Sequence, residues 1–515
     1  MSTIRKDDLV ESVAAALQYI SYFHPVDYIR SLGRAFEAEA SPAARDAIAQ
    51  ILTNSRMCAE GRRPICQDTG IVNVFLKVGM DVRWDGFERG LDDAVNEGVR
   101  RAYLDPDNKL RASIVDPPEG ARRNTRDNTP AVIQVDLVPG HEVEVTVAAK
   151  GGGSENKSKL TMLNPGDSIV DWVLATVPTM GAGWCPPGML GIGIGGTAEK
   201  AALLAKQSLM DPIDMAELIA RGPRDEVEKL RIELYEKVNA LGIGAQGLGG
   251  LTTVLDVKIH TYPTHAAGKP VAMIPNCAAT RHAHFVLDGS GPVYLDPPSL
   301  SDWPQVHWEP DTERSRRVNL DALNGQEVAS WQPGQTLLLS GRMLTGRDAA
   351  HKRIKELLAR GESLPVDFKN RVIYYVGPVD PVRDEVVGPA GPTTSTRMDS
   401  FTEMMLSRTG LRAMIGKAER GPVAIEAIRK HRSAYLMAVG GAAYLVAKAI
   451  KSAAANAEHN FNLNREDLVL KQLLIDEGPT YRRRRPVSRS MAHEFFHRTC
   501  HITAVVEDRP KGETK

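Results

Sequence analysis

The chain has 515 residues, 42% hydrophobic and 25% charged, the balance of an ordinary soluble globular protein with length for roughly two to four domains. Lys plus Arg equals Asp plus Glu at 64 each, so no global field draws nucleic acid or an anionic membrane. Five scattered cysteines, an odd number, argue against a secreted disulfide framework.

The N-terminal stretch lacks a short apolar core followed by a small-residue cleavage site, so no secretory signal is read and a reducing cytoplasm is expected. Leu9, Val13, Leu17 and Ile20 recur at helical spacing. Ser41 followed by Pro42 predicts a capped helix that runs through Ile48 and Leu52 and stops near Gly61. Val72, Val74, Leu76 and Val78 alternate as a strand, Val132, Ile133 and Val135 suggest another, and Val143, Val145 and Val147 a third. That last strand runs into Gly151, Gly152 and Gly153, which puts backbone N–H groups at a strand end, a place suited to ligands. Val227, Leu230, Leu234, Val238 and Leu241 mark a helix over 225–241 that Gly242 stops.

The proline-rich, aperiodic run 297–310 reads as the main domain boundary. Beyond it, 337–339 and 372–376 read as buried strands, with helices near 401–408 and 423–432. The most apolar stretch, 434–450, reads as strand, turn and helix, too short to span a membrane. The expected fold is mixed α/β. A larger helix-rich N-terminal domain (1–296) is followed by a linker (297–312), a smaller C-terminal α/β domain (313–507) and a mobile tail (508–515).

Three of the cysteines sit in glycine- and proline-punctuated loops: Cys66 in ICQDTG, Cys185 in GWCPPGMLGIGIGG and Cys277 in MIPNCAATRHAHF. A lone free cysteine most often serves as a small buried hydrophobe. Three in such loops, with no fourth of the kind, suggest an iron–sulfur cluster with one iron left open as a Lewis acid. No CxxC pair exists, so spacing supports neither a zinc ribbon nor a ferredoxin.

The motifs CQDTG, KGGGSENKSKL, GAGWCPPGMLGIGIGGTAEKA, PNCAATRHAHF, SGRMLTGRDAAHKR and GPTTSTRMD together resemble the class I fumarate hydratases, across nearly the whole chain. The resemblance implies a [4Fe-4S] cluster on Cys66, Cys185 and Cys277. Its fourth iron would meet a substrate carboxylate and hydroxyl, while Cys58 and Cys500 match no ligand motif. It implies Thr393 as base, Asp68 as the group that activates it, and His265 as acid. A threonine hydroxyl is too weak a base unaided, which is why Thr393 needs a partner. Arg347, Arg397, Lys417 and Arg111 would anchor the substrate carboxylates, with Arg126 competing for the role of Arg111. Gln67 and the backbone N–H of Gly152 would complete the lining. Each of these residues alone has a plainer reading as a turn, cap or surface charge.

The implied partner is a small dicarboxylate, and the implied assembly is a homodimer with a swivelling-type second domain. Within the family, mesaconate and tartrate are alternative substrates. The tartrate enzymes resembling this family are usually split over two chains, whereas this chain carries both halves. Gly191-x-Gly193-x-x-Gly196 also matches a dinucleotide fingerprint, which offers an NAD-dependent dehydrogenase as a rival. The run Arg482–Arg485 offers nucleic-acid binding as another, but it lacks interleaved aromatics.

Overall fold

The computed structural model describes residues 2–447, apart from 307, 310, 311, 314, 384 and 386, together with the backbone of four strands between 468 and 508. Cys500, the side chains of Arg482–Arg485 and the tail expected after Asp508 lie outside the described residues.

Two four-stranded sheets build the N-terminal half. In the first, Ile71–Gly79 is central, antiparallel to Val143–Lys150 and parallel to Val132–Val138, with His282–Leu287 at the far edge. Val72, Val74, Val145 and Val147 point into one apolar core against Leu9, Val13 and Leu17 of the helix Lys6–Tyr22 and Val95 and Val99 of the helix Leu91–Leu104. The alternation read from the sequence is therefore the alternation of one buried face.

In the second sheet, Gly188–Gly195 lies between parallel Val254–Tyr262 and antiparallel Lys269–Asn276, which in turn pairs with Lys159–Leu163. Leu190, Ile192 and Val257 pack on Val173 and Val177 of the helix Ile169–Met180 and on Leu234 and Val238 of Glu226–Ala240. Met189, Leu255 and Ile274 face the other way, onto the helices Val26–Ala38, Pro42–Gly61 and Ala198–Ser208. The caps follow the sequence signals. Ser41 Oγ accepts from Ala44 N–H at 3.4 Å and Asp225 from Glu228 N–H at 2.8 Å.

Residues 288–315 carry no strand or α-helix among those described, only a short 3-10 turn at Leu300–Asp302. Beyond them comes a parallel sheet in the order Leu344–Thr345, Val372–Tyr374, Ala413–Gly416 and Ala434–Met437. The helices Asp348–Ala359, Asp399–Thr409 and Pro422–Lys430 connect its strands, as parallel pairing requires. The apolar stretch after Ala434 is strand, a turn at Gly440–Gly441, and a helix beginning at 443. The chain is thus mixed α/β. No helix among the described residues is long and apolar enough to cross a membrane.

The dinucleotide reading fails on this geometry. Gly191 and Gly193 lie inside a strand rather than in a phosphate-cradling turn. A Cβ on Gly191 would run into Ala205 O, and one on Gly193 into Ala201 O. These glycines let the helix Ala198–Ser208 lie directly on the sheet. Gly193→Ala should therefore lower unfolding free energy by about 1–3 kcal/mol, as overpacking does. The check is a shifted urea midpoint with unchanged slope. An unchanged midpoint would mean that the contact yields.

Candidate active site

The three cysteine loops lie where the two halves of the chain meet. Cys66 follows the helix Pro42–Gly61 after a left-handed cap at Arg62 and is buried. Cys185 is buried with φ 59°, a conformation uncommon for a residue with a side chain. Its carbonyl accepts from Ala278 N–H at 3.0 Å, which ties its loop to that of Cys277. Cys277 itself follows the end of the strand Lys269–Asn276 and is half-buried. His24 braces that loop from behind, with Nε2 on Ala278 O at 3.0 Å and Nδ1 on Ser55 Oγ at 2.7 Å. Burial depresses His24 to about 3, so the ring is neutral and donates through Nε2.

The C-terminal half docks onto these loops through buried polar contacts. Asn54 Oδ1 accepts from Tyr444 and Leu445 N–H groups, while its Nδ2 donates to Ile65 O. Gln246 takes Gly440 N–H at 2.9 Å and donates to Pro186 O at 2.8 Å. Arg63, three residues before Cys66, forks onto Glu385 at 2.7 and 2.9 Å. Gln67 Nε2 donates to Pro392 O at 3.4 Å, next to Thr393. Gly440 must be glycine, because a Cβ there would sit 2.7 Å from Cys185 Sγ.

Lys417 ends the strand Ala413–Gly416 and places Nζ 2.8 Å from Cys185 Sγ. Burial opposes its charge, but Cys185, Cys66 and Cys277 together raise it above the usual lysine range. One ammonium thus senses all three thiols. Burial also pushes the Cys185 thiol up to about 11 and raises Cys66, with Lys417 opposing both. Thr393 hangs on the same strand end. Its carbonyl accepts Lys417 N–H at 3.1 Å and its N–H donates to Tyr375 O at 2.7 Å. Its hydroxyl is buried and has no hydrogen-bond partner among the described residues.

Asp68 accepts Gly152 N–H at 2.9 Å on Oδ2 and Gly70 N–H at 3.2 Å on Oδ1. The N–H of Gly152 is therefore engaged by Asp68. Burial raises the Asp68 carboxyl, but Arg281, Arg111, Lys417 and the Gly152 N–H outweigh it and hold it below its ordinary value. Arg111 donates to Gly377 O at 2.6 Å. A Cβ on Gly377 would lie 2.9 Å from both Arg111 Nη1 and Arg347 Nε, so the two guanidinium groups converge there. Burial, then repulsion from Arg111 and Arg397, lowers Arg347 to about 10. Arg397 itself is exposed and forks onto Asp348 at 2.9 and 2.6 Å.

Two candidates stand apart. Arg126 is exposed in a turn at φ 73°. His265 is exposed in the loop 263–268, where its Nδ1 accepts Ala267 N–H at 3.1 Å. Its described hydrogen bonds do not reach the cysteine loops. Two residues at the site carry no sequence-based role. Arg281 is buried with Nε and Nη1 unpartnered. Lys150 is buried on Ser154 Oγ and lowered to about 8 by burial, with Glu155 opposing. Both lie inside distinctive motifs, PNCAATRHAHF and KGGGSENKSKL, which was the signal available for them.

Among the described residues no three His, Cys, Asp or Glu side chains close on a single ion. A multi-iron cluster asks for something different, namely thiolates spread around a larger body. Three thiols that all raise the charge of one ammonium, on the strand end that carries a buried, unpartnered hydroxyl, fit such a polar body. The mutually repelling arginines fit a dianion. Succinate should accordingly raise the melting temperature of the metal-free chain more than propionate at equal concentration, and Arg347→Met should remove the difference. Equal shifts from both anions would contradict a site that takes two carboxylates.

Both halves of the chain match known proteins. The family described as Fumarate hydratase (Fumerase) matches residues 10–286, and Fumarase C-terminus matches residues 289–463. Fumarate hydratase 2 of Leishmania major is 32% identical over 84% of this chain and 78% of its own length. The aerobic class I fumarate hydratase of Escherichia coli K12 is 33% identical over 81% of this chain and 77% of its own length. A putative L(+)-tartrate dehydratase subunit alpha of Methanocaldococcus jannaschii is 37% identical, over 54% of this chain and 95% of its own length. With both halves matched and most of each fumarate hydratase relative covered, the chain belongs to the class I fumarate hydratase family and is a lyase.

Proposed function

We propose that this chain reversibly hydrates fumarate to (S)-malate, with Cys66, Cys185 and Cys277 holding a [4Fe-4S] cluster. The observation that carries the reading is the contact of Lys417 with Cys185 at 2.8 Å, on the strand end that also carries Thr393, whose buried hydroxyl has no partner among the described residues. When bound, the cluster would supply a Lewis acid that helps hydroxide leave and a carboxylate accept negative charge.

The chain's own residues do the rest. Arg111 and Arg347 bind a substrate carboxylate, and their convergence over Gly377 supports Arg111 over the exposed Arg126. Lys417 contributes charge beside Cys185, and Arg397, linked to Asp348, extends the cationic wall. In the dehydration direction Thr393 Oγ takes the C–H proton while Asp68, kept ionised by its cations, takes the proton of Thr393. Gln67 holds the Thr393 loop through Pro392 O, and Gly152 aims Asp68 through its N–H. His265 is the proposed proton donor to the departing oxygen, on family resemblance. Because the site residues come from both halves, closure of a swivelling-type second domain would exclude water from them. A cytoplasmic homodimer completes the proposal, again on resemblance.

A tartrate substrate has one observation behind it, the tartrate dehydratase relative. That relative is a subunit matching only 54% of this chain, whereas fumarate hydratases match both halves. Mesaconate differs from fumarate by one methyl, worth about 1–3 kcal/mol of discrimination in a pocket.

Anaerobically reconstituted protein should hydrate fumarate in preference to mesaconate and should not dehydrate tartrate, followed by double-bond absorbance. Activity should fall in air and return with iron and reductant. Full activity of metal-free protein would sink the cluster reading. Thr393→Ala should lower kcat by about 100-fold or more at unchanged iron content, the scale of a lost general base. Parallel loss of iron would instead make Thr393 structural.

A further inference from the structure

Arg281 has no part in the reaction as written above, yet it is among the most deeply buried cations of the site, 3% exposed. It follows Cys277 by four residues, and its carbonyl accepts Ala149 N–H at 3.0 Å, which pins it to the end of the strand Val143–Lys150. Its Nε and Nη1 are buried without partners among the described residues. Its Nη2 and Asp68 Oδ2 lie 3.6 and 3.5 Å from the same point, the position a Cβ would take on Gly151.

A guanidinium in a dry interior is costly unless an anion balances it. Glu155, which pairs with Lys150 beside this site, is committed to Lys206 and Lys150. Asp68 is held by backbone N–H groups of Gly70 and Gly152 and forms no side-chain ion pair within 4 Å among the described contacts. Gly151 carries no side chain at the point that both charges approach.

We propose that Arg281 is a positioning residue for Asp68, its buried guanidinium being the counter-charge that fixes the carboxylate under the Gly151–Gly152 turn. This rests on the reading of Asp68 as the partner of Thr393. Arg281 touches neither substrate nor cluster in this account. It acts by holding the proton acceptor in place.

The test is a double-mutant cycle on the reconstituted enzyme with Arg281→Gln, Asp68→Asn and the pair, plus Arg281→Lys. Arg281→Gln should lower kcat about tenfold or more with KM and iron content unchanged, and Arg281→Lys should recover part of the loss. In the Asp68→Asn background, Arg281→Gln should cost nothing further. An equal fold loss in that background, or a loss that tracks iron content, overturns the proposal. The melting temperature of the metal-free proteins supplies a readout independent of catalysis. The two single losses should not add in the double variant, and additive losses again overturn the pairing. If Asp68→Asn leaves kcat intact with full iron content, the reading of Asp68 fails by itself, and the melting temperatures alone decide the link to Arg281.

Discussion

The contact on which the site depends is Lys417 Nζ against Cys185 Sγ at 2.8 Å. It places an ammonium from the C-terminal half among buried thiols from the N-terminal half. A buried cation needs a partner, and buried thiols cannot ionise readily without one. The N-terminal half brings buried cations of its own, Arg281 and Lys150, but the ammonium in contact with a thiol comes from the C-terminal half. The strand Ala413–Gly416 ends on the cysteine loops, and whatever hangs on that strand end arrives with it. Thr393 does, through its carbonyl on Lys417 N–H. The position of the candidate base is thus set by the same docking that balances the thiols.

The same logic explains the surplus of positive charge. Arg111 and Arg347 share the space over Gly377, and burial with repulsion lowers Arg347 to about 10. Left alone, this arrangement costs stability, and a dianion relieves it. Asp68 alone cannot neutralise Arg111, Arg281 and Lys417 together, which is why its own carboxyl stays ionised in spite of burial. Sites that must bind a charged substrate carry such an imbalance in the free protein. The close backbone approaches serve it too, since a Cβ on Gly440 or Gly391 would press on Cys185 Sγ or on Gln67 Oε1.

Much of the scaffold was legible because one face of each element is buried. Val72 to Val78 and Val143 to Val147 alternate with the pleat, and Ser41 and Asp225 cap where their chemistry says they should. The strand Gly188–Gly195 was not legible as a strand. Its glycines imitate a nucleotide loop, and only the helix carbonyls lying on them reveal why side chains are excluded. At the site, the cysteines are singled out by their loops and the family motifs, and Arg347 lies in one of those motifs, whereas Lys417 in MIGKAERG and Arg111 in the less distinctive KLRAS match outside them. Arg281 and Lys150 were missed because a basic residue in a motif carries no mark of burial. Arg126 and Arg111 look alike in sequence. Their separation comes from a turn that leaves one in solvent and a loop that carries the other to Gly377. His265, like Arg126, is an exposed candidate whose described hydrogen bonds do not reach the cysteine loops.

The central claim is that three specific thiols, and not the fourth described one, hold the cluster. Cys58 is the most deeply buried of the four, yet its thiol donates to Pro64 O at 3.7 Å, and the cation that acts on it is the Arg63 guanidinium rather than Lys417. Iron and sulfide content after anaerobic reconstitution of Cys66→Ser, Cys185→Ser, Cys277→Ser and Cys58→Ser tests this directly. The account predicts that each of the first three loses most of its bound iron and sulfide, while Cys58→Ser retains both. Full iron in any of the first three, or equal loss in all four, would contradict it.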